Sequence, residues 1–392
     1  MVFEPNDYLE VIDRYYEPSL RRGVHLTDMS GWEFSPQALE TPTAVSLPMH
    51  ADLARYYADS GRRLDEIKAK ILPALEILDG EALDAEGVML LPSTTIAINI
   101  ILSVMKSAGV RSIVVEAPAY YAVMDAAQRI GLPYELMAPI QCPDGSLATD
   151  LPALVSRLEE KNVCLWLHQP RYAVGDDLSP ELVNDLLVRA GDSCFLVVDE
   201  ANDDTTPSIL GGIGKSASNF FRLRSLSKPI GLNGVRLAML LHQPQWRDRI
   251  VDTMWSAGGA LDWFSVSFAK SLTSPPRLYA DLLAQTREKL NAQRQLVAVA
   301  LSGAPMHLLP GRTGSLGAIR LDWRKLRGSE EDRREALIRH LADKGVPAML
   351  GAHCFFPKTI GFEHVRVNLF NEPATLRKSV DVLHSFFSSA SG

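Results

Sequence analysis

Lys228 and Arg236 stand eight residues apart in Ser225-Leu226-Ser227-Lys228-Pro229-Ile230-Gly231-Leu232-Asn233-Gly234-Val235-Arg236, the most specific local signal in the chain. A lysine in a partly dry pocket gives up its proton more readily and can form a Schiff base with an aldehyde. Other reactive types fall at the ends of apolar runs. Ser93, Thr94 and Thr95 follow Val88–Leu91 and open a helical stretch. Hydroxyls and free N–H groups at a helix N-terminus make a phosphate seat; a plain N-cap is the ordinary alternative. Tyr120 follows Ser112–Glu116 and offers a flat ring face. His168-Gln169-Pro170-Arg171-Tyr172 is a polar burst after Val163–Leu167, with His168 read as packing or bonding locally. Asp199 closes the run Phe195–Asp199, where a carboxylate is partly buried and needs a cationic partner.

Each feature alone is weak, but together they describe one ligand. A phosphate fits Ser93–Thr95 with Arg236, and a flat heteroaromatic ring fits Tyr120. A ring nitrogen that must stay protonated fits Asp199, and an aldehyde fits Lys228. That ligand is pyridoxal 5′-phosphate.

The elements that must carry these residues alternate. Seven short apolar runs read as strands: Val88–Leu91, Ser112–Glu116, Tyr134–Met137, Val163–Leu167, Phe195–Asp199, Phe221–Arg224 and Val235–Leu241. Helical stretches such as Ile96–Met105, Tyr121–Ile130, Leu151–Glu159 and Pro180–Ala190 lie between most of them. The pattern implies an α/β fold, a mostly parallel seven-stranded sheet with helices on both faces, whose ligands sit beyond the carboxyl ends of the strands. A long helix follows near Leu278–Leu301, with Leu283, Leu290 and Val297 on one stripe. The remaining pieces, Ala318–Leu321, Glu330–Lys344, Pro347–Leu350, His364–Phe370 and Ala374–Phe387, suggest a smaller α+β domain. The expected division is an N-terminal segment 1–60 joining the small domain, a large cofactor-binding domain 61–275, a linking helix 276–303 and a small C-terminal domain 304–392.

Composition narrows the class. Of 392 residues, 46% are hydrophobic and 22% charged, which argues against a disordered chain. A net charge of −7 makes a nucleic-acid or anionic-membrane partner a poor fit. No apolar run approaches the roughly 20 residues needed to span a bilayer, and the start MVFEPNDYLEV carries no secretory pattern. Cys142, Cys164, Cys194 and Cys354 lack metal-binding spacing and read as thiols in a reducing cytoplasm.

These residues resemble those of the class I/II aminotransferases, fold-type I pyridoxal-phosphate enzymes, along most of the chain. Ser225–Arg236 is similar to that family's cofactor-lysine motif, in which the arginine binds the phosphate. The resemblance implies cofactor contacts by Ser93, Thr94, Thr95, Tyr120, Gln169, Asp199, Asn202, Ser225, Ser227, Lys228 and Arg236, with Lys228 also catalytic. It implies that Arg366, in Val365-Arg366-Val367-Asn368-Leu369, clamps a substrate α-carboxylate, and that Gly31, Trp32 and Glu33 (or Asp28) line the substrate mouth. Tyr56 resembles the tyrosine that reaches the neighbouring subunit's phosphate, so a homodimer with shared sites and an amino-acid substrate are expected. Two departures stand out. Gln169 holds the place of an asparagine, and Asn202 that of a tyrosine, which in the family contact the cofactor's ring hydroxyl; Arg171 and Tyr172 replace small turn residues.

Other chemistries find no support. Gly214-Lys215-Ser216 ends like a phosphate loop, but Ile209 stands where its first glycine is required. Gly211–Gly214 is too short for a dinucleotide fingerprint, Gly214–Ser218 fails the serine-hydrolase elbow, and the histidines show no metal spacing. The first reading is an aminotransferase. The open alternative is a non-transaminating pyridoxal-phosphate lyase, cyclase or oxidase of specialised metabolism, similar to capreomycidine synthase, aminocyclopropane-carboxylate synthase or an arginine oxidase, acting on a cationic or modified amino acid.

Overall fold

The structure is a computed structural model that describes residues 11–27, 29, 60–143, 145–215, 217–257, 261–351 and 363–390, the side chains of 60–64, 325 and 390 apart. The apolar runs become seven strands: β1 (Val88–Leu91), β2 (Ser112–Glu116), β3 (Tyr134–Met137), β4 (Val163–His168), β5 (Phe195–Glu200), β6 (Phe220–Ser225) and β7 (Ala238–Leu241). They form one sheet in the order β1-β7-β6-β5-β4-β2-β3. Neighbours pair in parallel except β7, which is antiparallel to both β1 and β6. The central strands β4 to β6 are buried along their whole length, as strands covered on both faces must be.

β7 is shorter than the expected run Val235–Leu241. Its first residues close the turn that follows β6: Ser227 Oγ donates to the Val235 carbonyl at 2.7 Å, and Leu226 N–H donates to the Leu237 carbonyl at 3.3 Å. Apolar character alone does not separate a ladder from a loop folded beside it.

Helices α1 (Ser60–Asp79), α2 (Thr94–Ser107), α3 (Tyr121–Arg129), α4 (Leu151–Leu158), α5 (Pro180–Ala190), α6 (Arg247–Ala257) and α7 (Trp263–Leu272) accompany the sheet. Their starts are chemically marked. Ser93 Oγ accepts from Ile96 N–H at 3.1 Å to cap α2, and Ser179 caps α5 with Pro180 at its first position.

Helix α8 (Leu278–Ala300) belongs to two cores. Leu283 packs with the α1 and β7 side chains, while Leu290 and Val297 pack with the smaller sheet. That sheet is antiparallel, β8 (Met306–Leu308), β9 (Leu316–Leu321) and β10 (His364–Asn368), covered by α9 (Glu330–Asp343) and α10 (Pro373–Ala390). Residues 11–29, where described, join this smaller α+β unit. Tyr16 Oη donates to the Ala348 carbonyl at 2.5 Å, and Asn368 N–H donates to the Met29 carbonyl at 2.8 Å. The Pro347–Leu350 piece meets β10 by a bridge from Leu350 to Val365.

Leu290 is fully buried on the stripe that holds α8 against the small sheet. Leu290→Ala should cost about 2–5 kcal/mol of unfolding free energy, measured by chemical denaturation, with the loss concentrated in any transition assigned to the smaller unit.

Candidate active site

Five strand ends converge. β1 leads to Ser93, β2 to Tyr120, β4 to the loop 169–178, β5 to Asp199 and β6 to Lys228. Lys228 opens a single helical turn whose geometry is set by its neighbours. Ser225 Oγ accepts from Lys228 N–H at 3.0 Å and from Ser227 N–H at 3.3 Å, and Gly231 ends the turn at φ 78°. Ser227 gives its own proton to Val235, so its hydroxyl shapes the turn rather than facing a ligand.

The Lys228 ammonium lies 5.1 Å from the centroid of the Tyr120 ring. Burial drives its pKa down to about 8; Asp199 opposes the shift and Arg236 adds to it. Asp199 is raised to about 6 by burial, against the pull of Lys228 and of the Ala201 N–H that donates to its Oδ1 at 2.9 Å. Near neutral pH the pair therefore presents a readily deprotonated amine beside a carboxylate still largely charged.

Around them stands an aromatic wall. The Tyr120 ring centroid is 5.7 Å from that of Tyr172 and 4.9 Å from that of Tyr121. Burial raises the Tyr120 phenol pKa, and its hydroxyl hydrogen-bonds the Thr95 side chain, tying the ring to the start of α2. His168 fixes the same residue from behind. Its Nε2 accepts from Tyr120 N–H at 3.3 Å, so the imidazole is neutral, in keeping with a pKa driven to about 3 by burial.

Arg366 enters from β10 and is 1% exposed. Its Nη1 donates to Tyr172 Oη at 2.8 Å, a bond from the small sheet to the large-domain loop. That loop is built as a rigid tongue. Arg171 is buried and donates to Thr149 Oγ1 at 2.9 Å, with Glu116 at 3.5 Å and Asp176 at 3.4 Å. Gly175 accepts from Arg312 N–H at 2.6 Å and Thr313 N–H at 3.0 Å. A Cβ at this glycine, φ 86°, would sit 2.5 Å from the Thr313 carbonyl oxygen, so the two backbones meet only because it has none.

The expected contacts divide. Ser93, Thr94, Thr95, Tyr120, Asp199, Lys228 and Arg366 lie at or beside the strand-end cluster. Gln169 does not face it. Its Nε2 donates to Asp177 at 2.9 Å and its Oε1 accepts from Leu178 N–H at 2.8 Å, so both ends of the amide are used inside the tongue. Tyr172, read from sequence as a turn replacement, is the residue of this loop that meets Arg366. Asn202 keeps a buried Oδ1 with no hydrogen-bond partner among the described residues. Arg236 is exposed and makes no hydrogen bond or ion pair among the described residues. Asp28, Gly31, Trp32, Glu33 and Tyr56 lie outside the described residues.

One group of charges escaped the sequence reading. Asp199 and Glu200 are adjacent on β5 and so point to opposite faces. Glu200 is fully buried and accepts from Arg222 Nε at 3.1 Å and Nη2 at 3.0 Å. Arg222 also meets Asp79 at 2.7 Å, and Arg224 lies 3.7 Å from Asp203. The signal was present: two arginines two apart on a strand, opposite a second carboxylate in the next strand.

The sequence pattern described as aminotransferase class I and II matches residues 77–369. The chain belongs to that family. Its fold is similar to a single mutant of aspartate aminotransferase from Thermus thermophilus, with TM-score 0.76 at 14% identity over 98% of this chain and 97% of that one. Aspartate aminotransferase from Rhodobacter sphaeroides gives TM-score 0.74 at 16% identity over 94% and 93%. Among curated sequences, histidinol-phosphate aminotransferase 2 of Haemophilus influenzae is 27% identical over 112 residues. That match spans 28% of this chain and 31% of the relative.

The family's cofactor is pyridoxal 5′-phosphate, and the cluster fits it. A ring face at Tyr120, a carboxylate at Asp199, an amine of lowered pKa at Lys228 and the capped start of α2 are within one strand-end crevice. Among the described residues no group of three His, Cys, Asp or Glu could hold a metal, and no helix is long and apolar enough to cross a membrane.

Only the unprotonated amine attacks an aldehyde. Capture of pyridoxal phosphate by the apoprotein should therefore rise with pH and level off above about 8. Arg236→Gln removes a repulsive charge and should move that inflection upward. Absorbance during loading at a series of pH values checks both. Glu200→Ala should cost about 3–5 kcal/mol by removing the buried carboxylate that two buried arginines share, read by denaturation.

Proposed function

We propose that this chain is a pyridoxal-phosphate-dependent aminotransferase acting at the α-carbon of an amino acid. The observation that carries the reading is the half-buried Lys228 amine, its pKa lowered to about 8, set beside Asp199 and over the Tyr120 ring. Full-length similarity in fold to aspartate aminotransferases supports it.

When bound, the cofactor supplies an aldehyde and a protonated ring that withdraws electrons from Cα. Lys228 Nζ would hold the aldehyde end and Asp199 the ring nitrogen. Tyr120 would cover one ring face. The N–H groups and hydroxyls of Ser93 and Thr94, with Arg236, would hold the phosphate. Arg366 takes the substrate α-carboxylate and thereby places the Cα–H bond. Lys228, its pKa lowered to about 8, accepts that proton in its deprotonated form and can return it, general base and then general acid. Asp199 opposes loss of the ring proton by its charge. Asn202 is offered as the residue nearest the ring hydroxyl position, because its Oδ1 is buried without a partner among the described residues.

The exposed Arg236 supports a second proposal about assembly. A phosphate-binding arginine open to solvent in one chain suits a homodimer in which the neighbouring subunit closes the seat, with Tyr56 as its crossing residue. Sedimentation at assay concentration should show the dimer, and full activity in a monomer would refute it.

Borohydride reduction followed by peptide mapping should place the pyridoxyl group on Lys228. A label on another lysine sinks the assignment. Asp199→Asn should lower turnover about 100-fold or more, near 3 kcal/mol, as for loss of other fixed electrostatic groups, while cofactor loading falls less. Ketoacid production from a panel of amino acids, followed by mass, tests transamination itself.

A further inference from the structure

We infer that Tyr172 is a positioning residue for the substrate carboxylate: its phenol, held on the large-domain tongue, sets the orientation of the Arg366 guanidinium that descends from the small sheet. The inference rests on the reading of Arg366 as the carboxylate clamp.

Four observations carry it. First, the Arg366 Nη1 to Tyr172 Oη bond is 2.8 Å long, and both residues are buried, at 1% and 3% exposure. A neutral oxygen receiving from a guanidinium fixes one arm of the fork without cancelling its charge. A carboxylate partner at the same place would neutralise the arginine and compete with the ligand. Second, the phenol is held protonated. Burial raises its pKa, although Arg366 pulls the other way. Third, the ring cannot swing freely. It packs 5.7 Å from Tyr120 and 5.9 Å from His168, centroid to centroid, so the wall that bounds the Lys228 crevice also fixes the arginine. Fourth, the tongue beneath it is anchored at both ends. Arg171 ties it to Glu116 and Thr149 of the large domain, and Gly175 ties it to Arg312 and Thr313 of the small one.

The tyrosine thus converts the seating of two domains into the aim of one guanidinium. One side chain from the small sheet and one from the loop after β4 make the carboxylate site, and the second presents an oxygen that any carboxylate must fit beside. An amino acid with a free α-carboxylate is selected over its amide, because only the charged group completes the fork.

The test uses protein loaded with pyridoxal phosphate and the probe 3-phenylpropanoate, which carries a carboxylate and no amine, read by calorimetry. Tyr172→Phe keeps the ring and removes the oxygen. It should weaken probe binding about ten-fold, leave the cofactor absorbance unchanged, and leave binding of 3-phenylpropanamide unchanged. In an Arg366→Ala background the same substitution should have no further effect. With a reacting amino acid, the half-saturating concentration should rise about ten-fold and the limiting rate change less than three-fold.

Probe affinity within two-fold of the parent overturns the inference. So does equal weakening toward acid and amide, an effect that survives loss of Arg366, or no binding of the probe by the parent. Failure of the functional reading looks different: the chain takes up no cofactor, or no amino acid alters the cofactor band. In that case the same titration, run on the chain as isolated, still decides Tyr172.

Discussion

Partial withdrawal of the Lys228 ammonium from water is the constraint on which the site depends. An isolated buried charge is too costly to keep, so the amine must either find a counter-charge or surrender its proton. This chain does some of each. Asp199 lies within Coulombic reach yet does not fully offset the burial, and the amine settles near pH 8. Sheet topology makes this possible. Parallel strands β5 and β6 lie side by side and end together, so a carboxylate closing one stands next to a lysine just past the other. On the far face of β5, Glu200 with Arg222, Arg224 and Asp79 anchors the same strand through a paired charge cluster. One strand therefore carries an incompletely compensated charge on its working face and a mutually paired set on the other.

The loop between β4 and α5 shows how polar groups are spent to gain shape. Its buried side chains, Gln169 and Arg171, bond within the loop or to nearby large-domain groups. Gly175 gives its carbonyl to the opposite domain. What remains to face the crevice is a phenol on a scaffold braced by its own polar side chains. Preorganisation of this kind costs little at the moment of binding, because the ordering is already part of the fold.

Much of this was legible in the residues. Apolar runs between turn residues marked the strands, and the reactive types after them marked the crevice, because a parallel sheet collects its strand ends on one side. The stripe Leu283, Leu290, Val297 named the buried face of α8, although not that its two ends serve different cores. The misreadings have one cause: residue type does not report side-chain direction. Gln169, expected at the cofactor, bonds within its own loop, while Tyr172 looked like a turn filler and points to Arg366. The strand expected from Val235 lost its first residues to the Lys228 turn, since closing that turn takes the Val235 and Leu237 carbonyls. The Glu200 cluster went unread because its members come from three separate stretches, brought together only by pairing across β5 and β6 and the approach of α1.

The reversal of β7 makes a ruler of the chain between Lys228 and Arg236. Because β6 and β7 run antiparallel, residues 226 to 237 form a closed loop pinned at its neck by Ser227 to Val235 and Leu226 to Leu237. The distance between amine and guanidinium is set by the count of residues in that loop and not by the packing of distant elements. The bonds at the neck are to backbone carbonyls, so the gauge itself does not depend on which side chains stand at Leu232, Asn233 or Gly234. An inserted or deleted residue changes it at once, so the loop tolerates variation in letters and none in length.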